Sequence, residues 1–202
     1  MSSALQTRHR WTYSDLVALP DDQLRHELID GEHFVSPSPA IPHQLILWNF
    51  TEALGPYLRA NPIGTALTGP VDVKLSPYTV LVPDLVYFTA ERFARVVNEK
   101  HATAAPDLVV EILSPGTRRR DKGRKRAVYD REGVCEYWMV DPEARSISVL
   151  RRPRSDAGLT DVAVLTLADG GILESRLFPG LQIPLREVFR GRSGAAGVPL
   201  TV

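Results

Sequence analysis

The segment 108–113 constrains the fold more than any other feature of the sequence. It is an aliphatic run with one charged residue, Glu111, inside it. Strands that are apolar on both faces are typical of the centre of a sheet that helices cover on both sides. Glutamate is almost never fully buried unless it is paired or bound to a metal. The run therefore predicts a layered α/β protein with Glu111 as a functional candidate. The alternative is a Glu at the open end of the strand, paired with an arginine for structural reasons.

Composition excludes several classes of protein. Hydrophobic residues make up 44% of the chain and charged residues 24%, which is close to the globular average. No apolar run approaches the roughly 20 residues of a membrane span, and the segment 1–11 lacks the apolar core of a signal peptide. Cys135 is the only cysteine, so an internal disulfide is excluded. We expect a soluble cytoplasmic protein with one domain over 12–190 and loose tails at 1–11 and 191–202.

The pattern of apolar residues and turn signals predicts a mixed sheet flanked by helices. Asp30-Gly31 indicates an N-terminal hairpin. A C-terminal hairpin is predicted between 162–167 and 172–177, through Asp169-Gly170-Gly171. The other main elements are a long helix at 43–59, a strand at 85–88, a helix at 119–132, and strands at 136–140 and 146–150.

A second carboxylate is needed near Glu111 if that residue binds a cation. Asp84 and Asp107 each follow a proline at the start of a strand. Asp107 precedes Glu111 by four positions on the same strand, which separates their Cα atoms by about 13 Å. That distance is too large for one hard cation, whereas pairing of two strands can bring Asp84 beside Glu111. Asp84 is thus the preferred partner, and a turn-capping role is its alternative.

The helix that follows the Glu111 strand carries a stripe of polar residues. Asp121, Lys125 and Tyr129 are spaced four apart and share one side of the helix. Two carboxylates, a metal ion and a nearby lysine are sufficient for phosphodiester hydrolysis. The metal polarises the phosphate and lowers the pKa of a bound water. The lysine orients that water or stabilises the developing negative charge.

Basic residues are concentrated at 118–126. This segment holds seven of the 24 lysine and arginine residues in a chain whose net charge is +0. Any affinity for nucleic acid must therefore be local. We expect contacts to DNA phosphates from four of these side chains: Arg118, Arg119, Arg120 and Lys122. A solvated helix face is the alternative interpretation.

Several motifs occur in an order that resembles a known family. They are Glu27-Leu28-Ile29-Asp30-Gly31-Glu32, Ser38-Pro39 followed by His43, Val82-Pro83-Asp84, the run from Pro106 to Pro115, then Asp121, Lys125, Tyr129, Gly133-Val134, and Glu136-Tyr137-Trp138-Met139-Val140-Asp141-Pro142. The chain resembles the bacterial "putative restriction endonuclease" domain family, formerly a domain of unknown function, from about residue 12 to about residue 190. That family is similar to the PD-(D/E)xK nuclease superfamily.

The resemblance implies a restriction-endonuclease-like α+β core and Mg²⁺ as cofactor, with Mn²⁺ as a possible substitute. Asp84 matches the first aspartate of the signature and Glu111 its (D/E). Leu113 stands where the signature has lysine, so Lys125 is the expected substitute. Glu27 is a candidate for an additional upstream carboxylate. His43 is either a contact to a metal-bound water or phosphate, or a polar residue at a helix N-terminus.

Three functions remain open at this point. The first is a metal-dependent endonuclease that cleaves DNA, expected to be duplex, as a homodimer, because duplex cleavage by this fold generally uses two active sites. The second is a catalytically degenerate module that binds nucleic acid or a protein partner. The third is a phosphodiesterase acting on small nucleotides, which requires a closed pocket. Retention of both carboxylates favours the first.

Overall fold

The computed structural model describes residues 9–191. Most of the predicted loose tails, 1–11 and 191–202, lie outside the described residues. Within the described part, Trp11 donates a backbone hydrogen bond to Gly31, and the guanidinium of Arg10 lies over the ring of Tyr78. Residues 10 and 11 therefore pack against the predicted hairpin. No helix in the described range is both long enough and apolar enough to span a membrane.

The described chain forms three sheets and several helical segments. The strands are β1 (Arg25–Ile29), β2 (Glu32–Ser36), β3 (Gly64–Thr68), β4 (Val73–Ser76), β5 (Thr79–Leu81), β6 (Leu85–Thr89), β7 (Leu108–Ile112), β8 (Glu136–Asp141), β9 (Ser146–Arg151), β10 (Thr160–Thr166), β11 (Ile172–Glu174) and β12 (Gln182–Pro184). The helices are α1 (Tyr13–Val17), α2 (Ile41–Ala60), α3 (Ala90–Val96), α4 (Arg118–Arg120), a π-helical turn (Asp121–Lys125), α5 (Arg126–Arg131) and α6 (Leu185–Val188).

The central sheet has six strands in the order β10-β9-β8-β7-β6-β3. Its strand β7 runs parallel to β8 and antiparallel to β6, so the sheet is mixed. Leu108, Val110 and Ile112 enter one hydrophobic cluster, whereas Val109 and Leu113 enter the other. This alternation is the pleat of a strand buried on both faces. The predicted mixed sheet, flanked by helices, is confirmed.

A second sheet is built on the N-terminal hairpin, in the order β2-β1-β5-β4. The hairpin turns at Asp30 and Gly31, whose φ angles are +53° and +87°. Positive φ at both turn residues is the reason that Asp-Gly favours this kind of turn. The predicted N-terminal hairpin is confirmed. It also packs against the helical segment 118–131, because Arg131 forms an ion pair with Asp30 and Arg124 one with Glu32.

The predicted C-terminal hairpin is wrong in its strands. β10 pairs with β9 as the edge of the central sheet, and β11 pairs with β12. The turn signal around Gly170 therefore separates two sheets. After β11, the backbone N–H of Arg176 donates to the buried Glu136 of β8, a contact far away in the sequence. A local turn signal did not reveal this tertiary contact.

The basic segment is helical, as predicted, but a π-helical turn interrupts it between α4 and α5. We call the whole segment, 118–131, the basic helix. Turns of this type are rare and occur frequently at functional sites. Both ends of the π-helical turn, Asp121 and Lys125, are buried.

Candidate active site

Strand register places Asp84 beside Glu111. Leu85 pairs with Val110 and Val86 with Val109 in the antiparallel ladder of β6 and β7. The residue before Leu85 therefore lies opposite the residue after Val110, and their side chains share one face of the sheet. Directly opposite Cβ atoms in such ladders are about 4.5–5.5 Å apart. The backbone N–H of Ile112 also donates to Oδ2 of Asp84 at 2.8 Å.

Glu111 is held by two side chains of the basic helix. Lys125 Nζ donates to Oε1 of Glu111 at 2.9 Å, and the hydroxyl of Tyr129 donates to the same oxygen at 2.7 Å. The other carboxylate oxygen of Glu111, Oε2, accepts neither of these two hydrogen bonds. Burial raises the pKa of Glu111 to about 8, against the opposing charge of Lys125. Glu111 is therefore paired with a lysine. The alternative interpretation of the sequence had an arginine as its partner.

Lys125 joins three carboxylates. Its Nζ lies 2.7 Å from Glu27 Oε1, 2.9 Å from Glu111 Oε1 and 3.6 Å from Asp121 Oδ1. Burial by itself lowers the pKa of Lys125, but the three carboxylates outweigh it and raise the pKa above its usual range. Glu27 also accepts a hydrogen bond from the backbone N–H of Val82. The ammonium is thus permanently charged and fixed in position.

Asp84 has two partners of its own, a guanidinium and an imidazole. Its Oδ1 lies 2.8 Å from Arg25 Nη1 and 3.1 Å from His43 Nε2. Burial raises the pKa of Asp84, but His43 and Arg25 outweigh it and lower the pKa to about 2. His43 is the third residue of α2, and its imidazole lies beside the Asp84 carboxylate at the start of that helix.

These side chains surround one cavity of about 580 Å³. Six of the predicted site residues line it: Asp84, Glu111, Lys125, Asp121, His43 and Arg120. Glu27 and Tyr129 lie behind the wall, where they contact Lys125 and Glu111. The loop between β7 and the basic helix, 114–117, forms another part of the lining.

Asp107 lies at the opposite end of β7 and has different partners. Its Oδ2 accepts the backbone N–H of Thr89, and its Oδ1 lies 3.3 Å from Arg92 Nε. These contacts hold Asp107 away from the cavity, in agreement with the choice of Asp84 over Asp107. Asp84 and Asp107 share the Pro-Asp motif, but strand pairing brings Asp84 alone of these two to the cavity.

The four predicted phosphate contacts occupy different environments. Arg118 is paired with Asp141 and Glu143. Arg120 lies 3.1 Å from Glu27 and donates to Ser36, which places it in the wall of the cavity. Arg119 and Lys122 are exposed. The cluster is therefore divided between internal ion pairs and a solvent-facing part.

Sequence reasoning missed Arg25, although a signal for it exists. Arg25 and Glu27 are two positions apart on β1, so their side chains point to the same face. Once Glu27 is assigned to the site, Arg25 is the next residue on that face. Ser36 pairs with Arg25 at the end of the hairpin farthest from its turn, and it also lines the cavity.

The carboxylates at the cavity fit Mg²⁺ in their chemistry and number. Among residues 9–191, no three His, Cys, Asp or Glu side chains are arranged to hold a metal ion. Mg²⁺ does not require such a set, because it is usually bound through one or two carboxylates and retains several waters. Asp84 and Glu111 would supply those oxygens. Oδ1 of Asp121 is also buried, with no hydrogen-bond partner among the described residues.

Comparison with known proteins gives a family and a fold. A comparison with curated proteins found no match. Among solved structures, a "putative nuclease belonging to DUF820 from Anabaena variabilis ATCC 29413" is similar, with a TM-score of 0.72 and 18% identity, over 88% of this chain and 97% of that one. The sequence model of the Uma2 family, described as "Putative restriction endonuclease", matches residues 13–186. Because this model covers most of the chain, the chain belongs to the Uma2 family.

Proposed function

We propose that this protein is a metal-dependent endonuclease that hydrolyses phosphodiester bonds in DNA. One observation carries the proposal: Asp84, Glu111 and Lys125 come from three separate elements and line one cavity. Family membership supports a nuclease in general terms. A purely structural role would not require three buried charged groups to face the same open space, because burying charge is costly.

Each residue has a defined part in the proposed mechanism. Asp84 and Glu111 would hold Mg²⁺, or Mn²⁺ in its place. When bound, the cation would polarise the phosphate and lower the pKa of a bound water. Lys125 remains protonated, so it donates hydrogen bonds and does not act as a base. It fixes the position of Glu111, together with Tyr129, and its positive charge stabilises the negative charge that develops on the phosphate.

The charges of the site are close to balance before any ligand binds. Glu27, Asp84, Glu111 and Asp121 face Arg25, Arg120 and Lys125. The carboxylates thus exceed the permanent cations by one. A divalent cation would reverse this excess, and one phosphodiester would then restore neutrality. This balance supports one cation and one scissile phosphate at each site.

Exposed arginine and lysine side chains of the basic helix would contact the flanking phosphates. DNA is proposed as the substrate in duplex form, and since residues 9–191 form one such cavity, cleavage of both strands would use a homodimer. Light scattering on the purified protein tests this assembly, and a monomer at the concentration used for cleavage would contradict it.

Metal-dependent cleavage is the direct test of the proposed function. Labelled single- and double-stranded DNA are incubated with wild type, Glu111→Gln and Asp84→Asn, each with Mg²⁺, with Mn²⁺ and with a chelator. We expect cleavage by wild type with metal alone and its loss in both variants. Asp107→Asn is the matched control, because it removes the same charge from the same Pro-Asp motif outside the cavity.

One observation favours the second candidate, a degenerate module that binds without cutting. The carboxylates of the site already have partners within the chain: Lys125 contacts Glu27, Glu111 and Asp121, and Arg25 and His43 contact Asp84. A site whose carboxylates are already paired within the chain can keep its structure without a bound metal. Binding of DNA by wild type with no cleavage under any of the metal conditions would favour this candidate over the endonuclease.

A further inference from the structure

Arg25 is the most accessible of the arginine and lysine side chains that line the active-site cavity in the described residues. Its side chain is 21% exposed, compared with 12% for Arg120 and 2% for Lys125. It begins β1 and reaches across to Asp84, with Nη1 2.8 Å from Oδ1. A ligand that enters the cavity therefore meets this guanidinium more readily than the other two cations.

Arg25 is also held by fewer partners than the other two. Lys125 contacts three carboxylates. Arg120 contacts Glu27 and Ser36, and its guanidinium lies 5.3 Å from the ring centroid of Phe34. Arg25 has one carboxylate within ion-pair distance, and its contact with the carbonyl of Val82 is long, at 3.5 Å. Loss of the contact with Asp84 would therefore release Arg25.

A second cavity meets the first at Arg25. It has a volume of about 370 Å³ and shares Arg25 and the segment 37–39 with the active-site cavity. Its walls combine apolar side chains such as Leu16 and Leu47 with hydrogen-bonding groups such as Gln44. A nucleic-acid strand that passed from one cavity to the other would carry a phosphate past this guanidinium.

We propose that Arg25 is a phosphate-binding residue of the nuclease site, kept in place by Asp84 until a divalent cation binds. This inference rests on the proposed function. A cation bound to Oδ1 of Asp84 would lie close to the guanidinium that now occupies that oxygen, and like charges at such a distance repel each other. The guanidinium then turns into the cavity, where its paired N–H groups match the oxygens of a phosphate.

The test measures two affinities that should change differently. Ca²⁺ binding to Arg25→Gln and to wild type is measured by titration calorimetry without DNA. Binding of a fluorescent oligonucleotide is measured by anisotropy with Ca²⁺ present, and a gel verifies that the oligonucleotide stays intact. We expect Ca²⁺ affinity to be unchanged or increased, because a competitor for Asp84 is gone. Oligonucleotide affinity should fall about tenfold, the effect of one charge-assisted hydrogen-bonded contact.

The controls separate this role from a structural one. Arg95→Gln removes an exposed arginine of α3 that pairs with Glu91, and it should change neither affinity. Loss of both affinities in Arg25→Gln would overturn the proposal, since Arg25 would then only position Asp84. An unchanged oligonucleotide affinity would overturn it as well. If Arg25→Gln does not fold, Arg25→Lys keeps the charge without the paired donors and should still weaken oligonucleotide binding. Failure of wild type to bind Ca²⁺, Mg²⁺ or Mn²⁺ would instead refute the proposed function.

Discussion

Two acidic residues on adjacent strands have opposite protonation behaviour. Asp84 faces Arg25 and His43, and its pKa is lowered to about 2. Glu111 is buried among other carboxylates, and its pKa is raised to about 8 although Lys125 is adjacent. Burial raises the pKa of both groups, but His43 and Arg25 outweigh it at Asp84. At Glu111, burial outweighs the charge of Lys125, and the neighbouring carboxylates add to the rise.

These pKa shifts predict opposite effects of pH on stability in the metal-free protein. The lowered pKa of Asp84 means that its contribution is complete above pH 3.8 and is lost as the pH falls toward 2. The raised pKa of Glu111 means that stability decreases as the pH rises from 4.5 to 8. We therefore expect Glu111→Gln to be more stable than wild type at pH 9 and no more stable at pH 4. Urea unfolding at both pH values measures this, and an equal effect at both would contradict it.

Removal of the shared cation should be costly. Lys125→Met leaves Glu27, Glu111 and Asp121 buried without their ammonium, and we expect a loss of about 3–5 kcal/mol at pH 8. The loss should be smaller at pH 5, where protonation removes part of the uncompensated charge. Denaturant unfolding measures the free energies. Lys122→Met is the control, since this exposed lysine should contribute within about 0.5 kcal/mol. Equal stability of the two variants would mean that Lys125 is not essential to the cluster.

At the scale of elements, the basic helix has a buried side and a solvent side. Lys125 and Asp121 face the cavity, Arg118 and Arg120 are engaged in ion pairs, and Arg119 and Lys122 are exposed. Arg118 and Arg120 already have carboxylate partners within the chain. Arg119 and Lys122 are therefore the side chains more available for DNA contacts. The π-helical turn lies in the middle of this arrangement and buries both of its ends.

The salt dependence of DNA binding should therefore come mainly from Arg119 and Lys122. Each phosphate contact adds about −0.9 to the slope of log affinity against log salt concentration. We expect the double variant Arg119→Gln/Lys122→Gln to flatten the slope by up to about 1.8. Anisotropy titrations of the Glu111→Gln protein across a salt series measure it. An unchanged slope would show that this surface of the basic helix does not contact DNA.

Some of these features could be predicted from the sequence and others could not. Glu111 was evident because a charge inside an aliphatic run is costly, and Asp84 followed from the reach of one cation. Arg25 was missed, because its place on the same face of β1 as Glu27 becomes informative only once Glu27 is assigned to the site. The C-terminal hairpin was predicted with the wrong strands, since a local Gly-Gly turn does not show that Glu136 accepts a hydrogen bond from Arg176. Local signals predicted turns, but only tertiary contacts decide which strands pair.

At the scale of the whole molecule, cation binding should stabilise the folded state. A ligand at about 100 times its Kd contributes about 2.7 kcal/mol. For a domain of this size, that is a rise in Tm of about 5–10 °C. Differential scanning calorimetry with Mg²⁺ or Mn²⁺ should show this rise for wild type and Asp107→Asn. Asp84→Asn should show none, and a rise of equal size in that variant would place the cation elsewhere.

Chelation should leave the fold intact. The carboxylates of the cavity already have Lys125, Arg25 and Arg120 as partners, so the folded chain does not depend on a metal for charge compensation. We expect far-ultraviolet circular dichroism to be unchanged by a chelator, unlike that of small domains that fold only around zinc. Cooperative unfolding on chelation would contradict this.

The dispersal of the site along the chain has a consequence during protein synthesis. Glu27 lies in the N-terminal hairpin, whereas Lys125 lies beyond the middle of the sequence, and β7 gains its parallel neighbour β8 only at residues 136–141. Domains emerge from the ribosome N-terminus first. A nascent or truncated chain that ends before Lys125 therefore carries the acidic groups without their ammonium and cannot assemble the complete set. The order of the elements thus delays the completed site until most of the central sheet has been synthesised.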